Sequence, residues 1–270
     1  MQIKNNQNGF TLIEMAMVLL LISIIIGAIA SSQGIVKRAN LAAARQMTAN
    51  SPVVYIDGLV LWLETSLNDS VEADSSNIVT RWNDISGNGR NLSPGTGPDD
   101  IYEGNILEGV PVVKFNGTES VSYSDPIASE RHTTFVVARV DEDASSQSLF
   151  YNGDSASNGW GIVRKGGSTG NIAFADHDSE IDIQQYDNRG GVFVIKYDGT
   201  DGYGKVNDGS WSSALTGIAI TFPDSGTITV GGGVSMVNTE IAEVIIYDRD
   251  LFDSEVNDVV EYLMKKYDLN

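Results

Sequence analysis

The 270 residues carry 36 acids against 17 lysines and arginines, a formal charge of −19, and no cysteine. The acidic excess repels polyphosphate chains and anionic headgroups, so nucleic acid and an acidic lipid surface are excluded as ligands. The missing cysteines exclude disulfides, thiolate zinc centres and cysteine nucleophiles. Two histidines, His132 and His177, are too few for a three-histidine zinc site and leave a Ser-His-Asp triad few candidate bases.

The charge is unevenly spread. Residues 1–50 hold Lys4, Lys37, Arg38 and Arg45 against Glu14, a net +3, which leaves −22 for the remainder. Residues 9–30 read GFTLIEMAMVLLLISIIIGAIA, apolar apart from Thr11, Glu14 and Ser23. As a helix such a run spans roughly 30 Å, the thickness of a bilayer's hydrocarbon. Three readings compete. A secretory signal would use Ala28-Ile29-Ala30 as a small-x-small cleavage site, but the run is long and Glu14 interrupts its start. A plain single-span anchor explains the length and leaves Glu14 unexplained, since a mid-span carboxylate costs about 2.5–3.5 kcal/mol on insertion. The third reading rests on a family resemblance, and its physical requirement is that a buried carboxylate meet a buried cation.

The residues GFTLIEMAMVLLLISIIIGAI resemble the N-terminus of type IV pilins and of the pseudopilins of type II secretion. The resemblance implies cleavage after Gly9 by a prepilin peptidase, N-methylation of Phe10, and Glu14 as the fifth residue of the processed chain. It also implies that Glu14 of one subunit pairs with the Phe10 amine of a neighbour, which sets axial register. Many family members carry a proline where this chain has Ser31, so Gly27 and Gly34 become the weak points of the helix. Lys37, Arg38 and Arg45 follow the span while only Lys4 precedes it. Charge alone would therefore keep the large domain inside, but long domains translocate largely regardless of it.

Helical character continues to about Ala49, with Ile35, Ala39, Ala42 and Met47 as the expected docking stripe, and Pro52 ends it. Beyond it, β-rich runs alternate with Gly, Asn and Asp turns: Leu59–Leu63, Val110–Phe115, Thr133–Val140, Ser148–Tyr151, Gly159–Arg164, Asn171–Ala175, Val192–Tyr197, Thr227–Gly231 and Ile241–Tyr247. Such spacing without intervening helices predicts an all-β sandwich or barrel. A closing helix follows, capped by Asp253 or Ser254. Its apolar face is Val256, Val259, Val260, Leu263, Met264 and Tyr267, and Lys265 and Lys266 complement its C-terminal dipole. It is expected to close one end of the sandwich.

The stretches GLVLWLETS, RWNDISGNGRNL, GVPVVKFNGTESV, TTFVVARV, GVFVIKYDGTDG and IAEVIIYDRDLFDSEVNDVVEYLMKKY resemble the laminin-G-like, concanavalin A-like family. The resemblance implies a jelly roll of two antiparallel sheets that binds glycans or proteins, often with calcium at its rim. The whole fold is then a long N-terminal α-helix, an antiparallel β-sandwich and a short C-terminal helix. Its domains are a leader over 1–9, an assembly helix over 10–51 and the sandwich over 52–270.

Within the sandwich, Asp176, Asp178, Glu180 and Asp182 stand at alternate positions and are the candidate calcium ligands, since stacked carboxylates repel unless solvated or bridged. The order E-I-D-I at 180–183 resembles the catalytic strand of a retaining β-glucanase family. Gln184 stands where that family has its general-acid glutamate, and a retaining mechanism needs two carboxylates. The chain is therefore expected not to be an enzyme. Trp160, Tyr186, Tyr203 and Trp211 are the candidate aromatics for stacking on sugar rings, with packing in the core or at the rim as the competing reading, while Trp62 and Trp82 are expected in the core.

The reading is a pilin-like structural subunit, held in the cytoplasmic membrane as a precursor and then displayed on an extracellular filament. Its partners are other copies or other pilins, the prepilin peptidase, the inner-membrane assembly platform and a glycan or protein ligand. The alternative is a pseudopilin that contacts an exported substrate. More distant is a membrane-tethered carbohydrate-active enzyme.

Overall fold

The computed structural model describes residues 12–269 apart from 96–100, 108, 118, 141–146, 166–170, 177–179, 186–189, 217–219, 222, 224 and 233–235. The first helix, α1 (Leu12–Ala49), is unbroken for 38 residues, about 57 Å. Gly27, Gly34 and Ser31 lie inside it without interrupting it. Ser23 is accommodated because its hydroxyl donates to the Leu19 carbonyl one turn back (2.8 Å). Among the described residues no helix is long and apolar enough to cross a membrane. The apolar run of the sequence extends past the described side chains at both ends, through 9–11 and 28–30.

A 3-10 turn at Val53–Tyr55 leads into the strands, seventeen among the described residues. They are β1 (Leu59–Glu64), β2 (Val71–Ala73), β3 (Val79–Trp82), β4 (Ser93–Pro94), β5 (Ile101–Leu107), β6 (Val110–Gly117), β7 (Ser120–Tyr123), β8 (His132–Arg139), β9 (Gln147–Asp154), β10 (Asn158–Arg164), β11 (Asn171–Asp176), β12 (Glu180–Gln185), β13 (Gly191–Tyr197), β14 (Asp201–Val206), β15 (Leu215–Thr216), β16 (Thr227–Gly231) and β17 (Met236–Tyr247). The chain closes with α2 (Asp253–Tyr267). All nine runs read from the sequence are strands. The short β2, β3, β4, β7 and β15 and the Gly-interrupted β5 and β14 carry too little apolar pattern to stand out.

Two antiparallel sheets face each other. One runs β15-β14-β13-β8-β17-β6-β5, and the other runs β12-β11-β10-β9-β16-β7-β4. β17 is long enough to change partner. Its first half pairs with β6, and after a register shift between Ile241 and Glu243 its second half pairs with β1. Between the sheets lies one core, which includes Leu61, Trp82, Phe115, Val136, Phe150, Trp160, Phe193 and Ile246.

A second core covers the other face of the β8–β17 sheet. Phe135, Val137, Val192, Val194 and Ile245 point outward and meet Val256, Val259, Val260, Leu263 and Tyr267 of α2, together with Ala44 of α1. Both faces of β8 are thus buried, which is why TTFVVARV reads as a nearly continuous apolar run instead of alternating. α2 therefore lies across a sheet face and does not close an end of the sandwich. That apolar outer face is what its own apolar stripe needs. The cap position is Phe252, whose N–H donates to the Glu255 carboxylate (2.8 Å), so neither Asp253 nor Ser254 caps the helix.

Only the last turns of α1 dock. Ala44 and Thr48 are buried and Leu41 and Met47 half-buried, whereas Ile35, Ala39 and Ala42 of the expected stripe are exposed. The stripe is shifted because, among the described residues, α1 meets the domain no earlier than Asn40, which packs against Gly109.

Beneath this junction lies a buried charge cluster. The Lys266 ammonium reaches Glu64 (3.0 Å) and Glu243 (2.8 Å), all fully buried. Trp62 Nε1 (2.7 Å), Tyr262 (3.1 Å) and Tyr267 (2.9 Å) donate to Glu243, and Ser66 and Leu67 N–H donate to Glu64. Burial pushes the Glu64 carboxyl up, but Lys266, Ser66 and Leu67 together outweigh it and hold it below its ordinary value. Lys266 stands in the last turn of the C-terminal helix, as expected, and is also its anchor. An ammonium at that position would otherwise be buried alone.

Candidate functional site

Exposed large apolar side chains are concentrated on one element. Apart from Val54, Tyr55 and Phe252, all those exposed among the described residues lie on α1, from Leu12 to Val36. Glu14 sits exposed in the first turn of this helix, where the backbone dipole favours an acid. Gly9 and Phe10, the expected processing residues, lie outside the described residues, so the expected partner of Glu14 does too.

The four candidate aromatics separate. Trp160 is fully buried and stacks on the His132 ring at 3.6 Å between centroids, with Phe150 at 5.5 Å. It is a core residue and cannot reach a ligand. The expectation is corrected because the register that pairs β10 with β9 and β11 turns Trp160 between the sheets. Tyr186 lies outside the described residues. Trp62 and Trp82 are buried, as expected.

Tyr203 and Trp211 come together. Lys196 of β13 stands directly across from Tyr203 of β14, so both project from the same face of the sheet. The segment after β14 turns at Asn207, whose positive φ of 54° is tolerated by asparagine and whose side chain accepts the Val192 N–H (2.8 Å). It then folds back on β14. Ser212 N–H donates to the Gly204 carbonyl (2.7 Å), and Gly204 N–H donates to the Ser212 hydroxyl (3.1 Å). This return lays Trp211 against Tyr203, edge to face at 6.4 Å and 71°.

Two ammonium groups approach the indole, Lys196 at 5.0 Å and Lys205 at 5.4 Å from its centroid. Lys205 is buried and hydrogen-bonded to Asn257 (3.0 Å), and burial pulls its ammonium below the usual range. Lys196 is held by Asp253 (3.3 Å) and Asp250 (3.4 Å) at the start of α2. Desolvation, then Asp201 and Asp198, pushes the Tyr203 phenol up. The rings, Lys196, Asp198, Asp250, Asp253 and Ser212 line an open cleft of about 290 Å³. Lys196 and the acids escaped the sequence reading. The available signal was a single lysine inside the otherwise apolar GVFVIKY strand, an outward position that needs a counter-charge.

The acidic stretch is organised differently. Asp176 ends β11 and Asp178 lies outside the described residues. Glu180 and Asp182 share β12, where Lys165 bridges them at 3.6 and 2.7 Å and Asn171 donates to Asp182 (2.8 Å). The hydrogen bond from Lys165, then that from Asn171, holds the Asp182 carboxyl below its ordinary value. Among the described residues no group of three or more His, Cys, Asp or Glu could hold a metal ion. The β11–β12 register shifts between Ile172 and Ala173, so Gln184 pairs with Ile172 while Asp182 pairs with Ala173.

The sandwich is similar to several solved structures. The sialidase of Trypanosoma rangeli superposes with a TM-score of 0.57 at 15% identity, over 83% of this chain and 38% of that one. Domain 4 of an extracellular arabinanase from Geobacillus stearothermophilus, solved with arabinotriose, gives 0.56 at 15% identity over 75% of this chain and 98% of the domain. The binding domain of Paraclostridial Mosquitocidal Protein 1 gives 0.56 at 19% identity over 77% and 53%. In its ligand complexes the sialidase is matched over only 33% of its length. At these identities the likeness is one of fold. No curated protein matches the chain. Residues 4–30 match the family described as the prokaryotic N-terminal methylation motif, so the chain joins a prepilin-type N-terminus to an antiparallel β-sandwich.

Proposed function

We propose that this chain is a type IV pilin-like subunit, cut after Gly9, methylated at Phe10 and assembled through α1 into a surface filament that displays the sandwich for recognition. The observation that carries the reading is the exposed apolar surface of α1, which among the described residues no part of its own domain covers before Asn40. Burying a single leucine or isoleucine side chain is worth about 1.5–3 kcal/mol, so that surface needs lipid in the precursor and neighbouring copies afterwards. The prepilin motif over residues 4–30 supports the same sequence of events. Glu14 then pairs with the amine of Phe10 in a neighbouring subunit, where each charge offsets the other's desolvation. The reading contains no catalytic step, and a reducing-sugar assay on laminarin or lichenan should give no turnover.

The test is Glu14→Ala in cells. The full-length protein should still insert and be processed, with a methylated N-terminus by mass spectrometry, while sheared surface filaments fall at least tenfold. Filaments at the normal yield would overturn the pairing. Loss of protein export with filaments intact would point to a secretion pseudopilus.

A further inference from the structure

We propose that Lys266 and Glu243 condense to an amide with loss of water, an intramolecular cross-link that fastens α2 to β17, with Glu64 as the general base of the reaction.

Burial sets this site apart. The side chains of Lys266, Glu64 and Glu243 are wholly buried, whereas the ion pairs of Arg139, Lys165, Lys196 and Arg249 keep at least one partner in contact with water. The Tyr262 and Tyr267 rings wall the ammonium, at 5.7 and 5.1 Å from their centroids. As ions, one ammonium and two carboxylates are all desolvated here. Condensation turns three buried charges into one. The one left, Glu64, keeps the donors it already has, the Ser66 N–H and hydroxyl and the Leu67 N–H, and gains the new amide N–H. Exchanging a buried ion pair for neutral groups of similar volume is often neutral or stabilising.

The geometry supplies each step. The ammonium directs its three N–H groups at Glu243 Oε2 (2.8 Å), Glu64 Oε2 (3.0 Å) and the Tyr262 hydroxyl (3.3 Å). One proton moves along the shortest of these bonds to Glu243 Oε2, which leaves an amine facing a carboxylic acid. The amine attacks Cδ of Glu243. Negative charge develops on Oε1, where Trp62 Nε1 (2.7 Å) and the Tyr262 hydroxyl (3.1 Å) donate. As the C–N bond forms, Glu64 takes a second proton from the nitrogen and passes it to the hydroxyl at Oε2, to which Tyr267 also donates (2.9 Å). The Cδ–Oε2 bond breaks, water leaves, and the third proton stays on the amide nitrogen. No oxidant, reductant or activating group takes part. Free side chains condense this way only slowly, but groups held in contact react at effective molarities of about 10⁵–10⁸ M. Tyr262 also meets Thr48 at the end of α1 (3.5 Å), so the link locks the part of α2 on which α1 docks.

The full chain, purified in detergent, is unfolded in urea and digested with trypsin, and the peptides are read by tandem mass spectrometry. Residues 206–249 should be joined to residues 266–270 through Glu243 and Lys266, one water lighter than the two peptides together and uncut after Lys266. Glu64→Gln should abolish the link, and Tyr262→Phe should lower the linked fraction at least tenfold by removing a donor to Oε1. Thermal melts show whether each variant is folded. Wild-type peptides with both side chains free would overturn the inference whatever the variants do, and would reduce the cluster to an ion pair. A link from Lys266 to Glu64 would overturn the assignment of acceptor and base. Full linkage in folded Glu64→Gln would refute the role of Glu64.

Discussion

His132 should make this domain acid-labile in a way that one substitution removes. Its ring is fully buried, stacked on Trp160 with Tyr197 at 5.9 Å and Phe174 at 6.0 Å, and neither ring nitrogen has a hydrogen-bond partner among the described residues. Burial with no compensating acceptor lowers its pKa from 6.5 to about 3. The folded-state value lies below the unfolded one, so above pH 6.5 the group is neutral in both states and costs nothing. As pH falls below 6.5 the unfolded chain gains a proton that the folded chain refuses, and stability drops by about 1.4 kcal/mol per pH unit until pH 3. Between pH 7.5 and pH 5 the loss from this one residue is about 2 kcal/mol.

Urea denaturation at both pH values, for wild type and His132→Phe, isolates the effect because every other titrating group, His177 included, is common to the two proteins. The phenyl ring keeps the stack and leaves no polar atom to desolvate, so the variant should be at least as stable as wild type at pH 7.5. Its loss on acidification should be smaller by about 2 kcal/mol. Equal losses in the two proteins would refute the reasoning and mean that His132 finds a partner or titrates normally in the folded state.

Lys266→Met should lower stability by about 3–5 kcal/mol, since it leaves Glu64 and Glu243 buried without their cation. Urea midpoints measure it, and a loss below about 1 kcal/mol would show that the donors around the two glutamates suffice on their own. Hydrogen exchange on the same variant should show faster opening of the last turns of α1, because Thr48 touches the cluster through Tyr262 (3.5 Å). Millimolar calcium should leave the melting temperature unmoved, because the Lys165 ammonium already bridges Glu180 and Asp182 where a cation would sit. A site with millimolar affinity would instead add about 1 kcal/mol at several-fold excess, visible as a raised melting temperature.

Local rules made much of this protein legible. The prepilin-type pattern over residues 4–30 needs no tertiary information, because it is a contiguous run set by residue identity, length and hydropathy. The nine β runs and the apolar stripe of α2 follow from periods of two and 3.6, which the backbone imposes residue by residue. Tyr203 and Trp211 stand in polar, Gly-containing stretches, but so does Trp160, and nothing local distinguishes the three. That distinction depends on pairing. β10 turns Trp160 between the sheets through its register with β9 and β11, whereas Trp211 folds back on β14 from outside.

Only the tertiary structure decided which charges are buried. Glu243 meets Trp62 across 181 residues of sequence, and Glu64 meets Lys266 across 202. Nothing in the local pattern of either strand separates a surface glutamate from one that will be desolvated. The same holds for the sheet of β8, β13 and β17, whose nearly continuous apolar runs show that both faces are buried but cannot show that α2 covers one of them. Period fixes faces, and only long-range packing decides what each face meets.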